Sequence, residues 1–208
     1  MIGSREYGDL EATVAAVILF AEARSDARFT DDTYGKVREP ILRVTHWARV
    51  SGVDRFFVPG FAFDATILGR LGQDPPYGAR SVFNFFRPGY VATGSETSQA
   101  NLVAPELQIE FGPNVIEYAN VMRSFVFNVP NTSTGYWPNY EAVGLLDRAS
   151  SIEGLVDFFN LIYTGNRLAP ETIEVITNAL ESSADDPLTR VRVGSLLITN
   201  TIEYKTQK

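Results

Sequence analysis

One histidine, no cysteine and a scatter of carboxylates bound the chemistry open to this chain of 208 residues. His46 sits in Thr45-His46-Trp47. As the base of a Ser-His-Asp relay it would need a serine such as Ser81 as nucleophile, yet no G-x-S-x-G nucleophile elbow is present. The structural reading, a partly buried histidine packed against Trp47 and the stretch 81–109, is the expectation. A zinc or iron centre needs more nitrogen and sulfur ligands than one histidine supplies, so no metal is expected. Phosphate-cradling glycine loops are absent, and no cofactor is expected.

Carboxylates remain as candidates for acid–base work. Two must face each other across roughly 5–10 Å to hydrolyse a sugar linkage, one of them in apolar surroundings. Glu39, Asp64, Glu106, Glu110 and Glu117 lie in or beside aromatic segments and are the candidates, although Glu39 and Glu106, each beside a proline, also read as helix-start residues. Asp31-Asp32 and Asp185-Asp186 lack the alternating oxygen ligands of a calcium loop and read as capping residues. Arg87, inside Phe85-Phe86-Arg87-Pro88-Gly89-Tyr90, is expected to have its stem covered and its fork paired with Glu39 or Glu106, or else to hold an anionic ligand together with Asn84. Tyr136, Trp137 and Tyr140 form the most exposed-looking aromatic group, able to stack on a sugar ring or enter an interface, or simply to pin their own loop. Asn131-Thr132-Ser133 is a weak glycosylation pattern.

The elements that would position these residues read as helices. Asp9 caps a helix to about Arg24, with Leu10, Val14, Val17, Ile18 and Ala21 on its inward face. Pro40 at a first helical position starts a second, Glu39 to Val50, which Gly52 stops. A short helix is expected near Phe63 to Leu71 and another at Glu96 to Leu102. Pro113 starts one to about Phe127, with Ile116, Ala119, Met122 and Val126 inward. Ser150-x-x-Glu153 is a capping box for a helix that Gly165 ends. Pro170 to Glu181 and a last helix opened by Asp186-Pro187 complete the set. No run alternates with the period of a strand. The expectation is one all-α domain over 1–208, with about six to eight helices and long ordered loops. At its centre, Ser81 to Ile109 is read as a buried plug around which the helices assemble.

Composition agrees: 45% hydrophobic, 21% charged and 12% aromatic residues with 14 Phe suit a folded globular chain. The net charge of −7, with Lys36, Lys205 and Lys208 the only lysines, argues against nucleic acid. The longest apolar run, Ala12 to Ala21, falls short of the roughly 20 residues of a membrane-spanning helix. The acids of MIGSREYGDLE do not suit a signal peptide, and the chain reads as a portion of something longer.

Several segments, in order, resemble the C-terminal part of a bacterial family known as domain of unknown function 1800. They are Gly8-Asp9-Leu10, the stretch Gly35 to Arg43 (GKVREPILR), Ser81 to Tyr90 (SVFNFFRPGY), Leu102 to Ile109 (LVAPELQI) and Arg190-Val191-Arg192. The resemblance implies a mainly helical, extracytoplasmic protein, periplasmic or secreted. It also implies a possible partner in a neighbouring sulfatase- or phosphatase-like family, and it brings no catalytic residues. Two functions follow as expectations. One is a non-catalytic scaffold or binding module that docks on a partner protein, on another copy of itself or on a surface polymer. The other is a carboxylate hydrolase with a cleft lined by 81–109.

Overall fold

The computed structural model describes residues 7–21, 24–31, 33–53, 69–73, 78–79, 81–127 and 137–208. Nearly all of the short helix expected near Phe63 to Leu71 lies outside them, as do Asp32, Asp64, Tyr136 and the Asn131-Thr132-Ser133 triplet. The chain is mainly helical and divides into two compact units, Met1–Lys36 with Lys208, and Val37–Gln207. Among the described residues the only sheet pairs two two-residue strands, β1 (Lys36–Val37) and β2 (Thr206–Gln207).

The first unit holds α1 (Leu10–Leu19) and a 3-10 turn, Asp26–Thr30. Asp9 caps α1 as expected, its carboxylate accepting the Ala12 N–H at 2.9 Å. The inward face does not materialise: α1 buries none of its residues, and Leu10, Val14, Val17 and Ile18 are all exposed. LEATVAAVIL is apolar on nearly every side, so its pattern singles out no face. Asp31 serves its own turn, accepting from Thr33 N–H at 2.8 Å and pairing with Arg28 at 2.9 Å.

The second unit is built on α2 (Pro40–Val50), α3 (Glu96–Gln99), α4 (Gly112–Val126), α5 (Leu145–Arg148), α6 (Ile152–Phe159), α7 (Pro170–Glu181), α8 (Pro187–Asn200) and α9 (Ile202–Lys205). Its hub is α8, against which α4, α5, α6, α7 and α9 all pack. Asp186 caps α8 by accepting the Thr189 N–H at 2.8 Å. The cap of α6 is Ser151, accepting from Gly154 N–H at 3.1 Å, one residue later than the expected capping box. The helix then widens into a π turn, Asn160–Thr164, that Gly165 ends at φ 66°. On α4 the buried face is Tyr118, Val121, Met122, Phe125 and Val126: Met122 and Val126 are inward as expected, but the face is rotated so that Ile116 is exposed. Two large aromatics, Tyr118 and Phe125, decide that rotation because they have the most apolar surface to hide. Phe125 stacks on Trp47 of α2 with centroids 5.7 Å apart.

The expectation of a plug at 81–109 is overturned. Within it only Glu106 and Ile109 are buried, while Val82, Phe83, Val91 and Val103 are exposed. The interior belongs instead to α2, α4 and α6–α9. Full-turn helices present a continuous apolar face, whereas this stretch changes direction at Asn84 (φ 69°), Pro88 and Gly94 (φ 81°) and cannot do so.

Gly194 is what lets α8 sit against α6. A Cβ there would lie 2.9 Å from Phe159 Cε2, and Phe159 is itself buried. Gly194→Ala is therefore expected to destabilise by about 1–3 kcal/mol through overpacking, despite the better helix propensity of alanine. Urea unfolding measures this, and a variant at least as stable as the parent would show that the ring moves aside without cost.

Candidate functional site

Two polar clusters converge on α2, both set up by its sequence. Glu39 ends the extended approach to Pro40, and Arg43 follows one turn later on the same side. The first cluster ties the 81–109 stretch down. Asn84 donates to Glu39 Oε2 at 3.1 Å, Gln73 donates to the same oxygen, and Gln73 Oε1 accepts the Ile41 N–H at 2.9 Å. Farther along, Arg87 N–H donates to Gln108 Oε1 at 2.7 Å and Ala104 N–H donates to the Tyr90 carbonyl at 3.2 Å. The segment is held by polar bonds while Val82, Phe83, Val91 and Val103 face out.

The second cluster surrounds Arg43, which has no exposed surface. Its guanidinium lies 4.5 Å from the centroid of the Tyr118 ring and forms an ion pair with Glu110. Lys205 Nζ lies 4.8 Å from the centroid of that same ring. The Arg43 carbonyl accepts from the Tyr204 hydroxyl. Burial lowers the proton affinity of Arg43, and burial followed by the nearby Arg43 charge brings Lys205 down to about 8. Burial raises the Tyr118, Tyr163 and Tyr204 phenols, which stay protonated.

His46 opens onto the far side of this group. Its Nδ1 accepts from Arg38 Nη1 at 2.9 Å, which assigns the ring proton to Nε2, and its ring lies 5.4 Å from Tyr163 and 5.7 Å from Tyr204. The expected packing against Trp47 and the 81–109 stretch gives way to these tyrosines. A relay histidine needs a carboxylate behind it. An arginine occupies that place, and burial together with its charge lowers the imidazole's proton affinity.

Among the described residues, three of the expected carboxylate candidates have separate partners. Glu39 serves Asn84 and Gln73, Glu110 serves Arg43, and Glu117 pairs with Arg70. Glu106 is buried, with Oε2 lacking a hydrogen-bond partner. Arg87 is exposed and forms no ion pair with Glu39 or Glu106, because Asn84 takes the place at Glu39 that the sequence suggested for Arg87. Trp137 is half-buried. Tyr140 is buried, its hydroxyl donating to the Val126 carbonyl at 3.0 Å, so this group is less exposed than its composition suggests. No group of His, Cys, Asp or Glu among the described residues could hold a metal ion. No helix of the described residues is long and apolar enough to cross a membrane.

Sequence reading missed Arg43, Tyr118, Lys205 and Tyr204 as a unit. One signal was available: Arg43 lies directly before Val44 and four residues before Trp47, a charge placed on an apolar helix face.

The chain belongs to the family described as a protein of unknown function, DUF1800, whose model matches residues 4–206. The same comparisons found no match among curated proteins or solved structures. The segments that resemble the family meet in the first cluster: Gly35 to Arg43 touches Ser81 to Tyr90 through Glu39 and Asn84, and Ser81 to Tyr90 touches Leu102 to Ile109 through Arg87 and Gln108.

Two expectations follow. Glu39→Ala leaves two amide donors without their acceptor and should cost about 1–3 kcal/mol, whereas Arg87→Ala should stay within about 0.5 kcal/mol. Paired denaturant curves check the order, and a larger loss at Arg87 would reverse the account. Because His46 is held neutral in the folded state, its contribution to stability is complete above about pH 6.5 and declines as pH falls below that, until the folded form also protonates. The melting temperature should drop between about pH 7 and pH 5, and His46→Gln should reduce that drop.

Proposed function

We propose that this chain is a non-catalytic docking module that binds a partner protein through the outer side of residues 81–116, in an extracytoplasmic setting. One observation carries the reading: Val82 and Phe83 are 93% and 59% exposed on a segment tied down by Glu39–Asn84 and Arg87–Gln108, and Ile116 on the following helix α4 is 68% exposed. Exposed apolar side chains on an ordered, tethered segment gain free energy when covered and lose little entropy in the process. Aliphatic and phenyl groups suit the apolar surface of another protein, whereas a surface polymer of sugars calls for flat aromatics flanked by hydrogen-bonding groups. Against the alternative of a carboxylate hydrolase stands the dispersal of Glu39, Glu110 and Glu117 among separate partners.

The test places a photo-crosslinking residue at position 83, 103 or 116, with position 174 on α7 as control, in the cells that make the protein. The expected result is one adduct of fixed mass from the three segment positions and none from 174. A second substitution in the segment, Phe111→Ser, should weaken that adduct while leaving the melting temperature within a few degrees. An adduct of twice the chain's mass identifies a second copy as the partner. Equal labelling at all positions, or none, would overturn the proposal.

A further inference from the structure

Arg43 and Lys205 present a charge arrangement that the docking proposal does not use, and one in which Glu110 is the acid paired with Arg43. Both cations lie against one ring, 4.5 Å and 4.8 Å from the Tyr118 centroid, and the acid paired there, Glu110, is on Arg43. Arg43 is fully buried, and its Nε and Nη1 have no hydrogen-bond partner. An arginine fork in such a place calls for a further anion of carboxylate shape. Lys205 is half-buried, and its backbone is pinned on both sides: its N–H donates to the Thr201 carbonyl at 3.2 Å, and its carbonyl accepts from Arg38 N–H at 2.7 Å.

We propose that Lys205 is a carbamylation site: its neutral amine takes up carbon dioxide, and the resulting carbamate supplies the anion beside Arg43. The amine lone pair attacks the carbon of CO2 and forms a C–N bond. One carbon–oxygen electron pair moves onto oxygen, and a proton passes from nitrogen to water. The product is N–COO⁻, with two oxygens able to accept from a guanidinium. No oxidant or leaving group is involved.

Carbon dioxide fits the place better than a free anion does. It is small and uncharged, so it reaches a half-buried amine without the desolvation cost that keeps phosphate or sulfate out of a covered site. The amine is prepared as well, since burial and the Arg43 charge bring it down to about 8. An amine at that value is neutral at pH 7 on the order of a hundred times more often than an ordinary lysine. The charged and titratable groups of the surrounding elements include Arg43 on α2, Arg38 ahead of α2, Glu110 ahead of α4, Tyr118 on α4 and Tyr204 on α9. The tyrosines stay protonated, so the amine's own ionisation controls the uptake.

The test uses the intact chain in carbon-13-labelled bicarbonate. A carbamate carbon signal is expected that strengthens as pH is raised from about 7 to about 9 at fixed dissolved CO2, as the amine loses its proton. Alkyl trapping followed by peptide mapping of the unmutated protein should place the adduct on Lys205, at least about tenfold above Lys36 and Lys208, within the margin that the larger neutral fraction allows. Lys205→Arg should abolish this signal, and Lys36→Arg with Lys208→Arg should leave it. Because the mapping needs no variant, a misfolded Lys205→Arg would not blunt the result. A trapped adduct confined to the amino terminus, equal labelling of the three lysines, or no carbamate signal would overturn the proposal.

Discussion

A guanidinium with no access to water must find its charge balance inside the protein, and the arrangement of the second unit follows from that demand. Arg43 is placed by α2, a helix that its partners cannot reach unless the chain returns to it three times. The stretch ahead of α4 returns to bring Glu110, α4 itself brings the Tyr118 face, and the C-terminal turn brings Tyr204 to the Arg43 carbonyl. Breaking such a pair by removing one partner is far costlier than never having built it, so these three returns are coupled. α8 supplies the apolar support, and the absence of a side chain at Gly194 sets how closely it approaches α6.

The 81–109 stretch illustrates a different route to order. Its phenylalanines invite a reading as core, but turns at Asn84 and Gly94 prevent it from offering a continuous apolar face. Order comes from side-chain amides instead: Asn84 and Gln73 share one carboxylate oxygen of Glu39, and Gln108 catches the Arg87 N–H. A segment anchored through its polar groups is free to leave Val82 and Phe83 in solvent. The packing function assigned to it from composition belongs to Trp47, Phe125, Phe159 and Tyr163.

Local signals were readable wherever the physics is local. Asp9 and Asp186 cap helices through their own carboxylates, Gly165 ends one, and Pro40 and Pro170 open others, because each effect operates within a turn or so of chain. Errors came where several faces compete for burial. Ile116 fits the period of α4 as well as Tyr118 does, and only the size of the aromatics and the position of α8 decide between them. For α1, apolar on nearly every side, periodicity carried no information about a face. The site showed the same division: Glu39 and Asn84 were singled out as candidates, but the partner assigned to Glu39 was Arg87, since a sequence shows charges and not which of two donors arrives first.

What the sequence by itself determined was helical class, helix starts to within a residue or two, membership in a family, and the absence of cysteine chemistry. These depend on backbone propensity, capping and composition, all of which act at short range. Tertiary structure alone decided that Arg43 is fully buried, that Lys205 shares a tyrosine ring with it, that His46 faces an arginine, and that the aromatic stretch lies largely outside the core. Most of those depend on groups far apart in the chain being brought within a few ångströms, for example the Tyr204 hydroxyl and the Arg43 carbonyl, separated by 161 positions. Pairings at that range are set by how whole helix faces pack, and no local pattern encodes them.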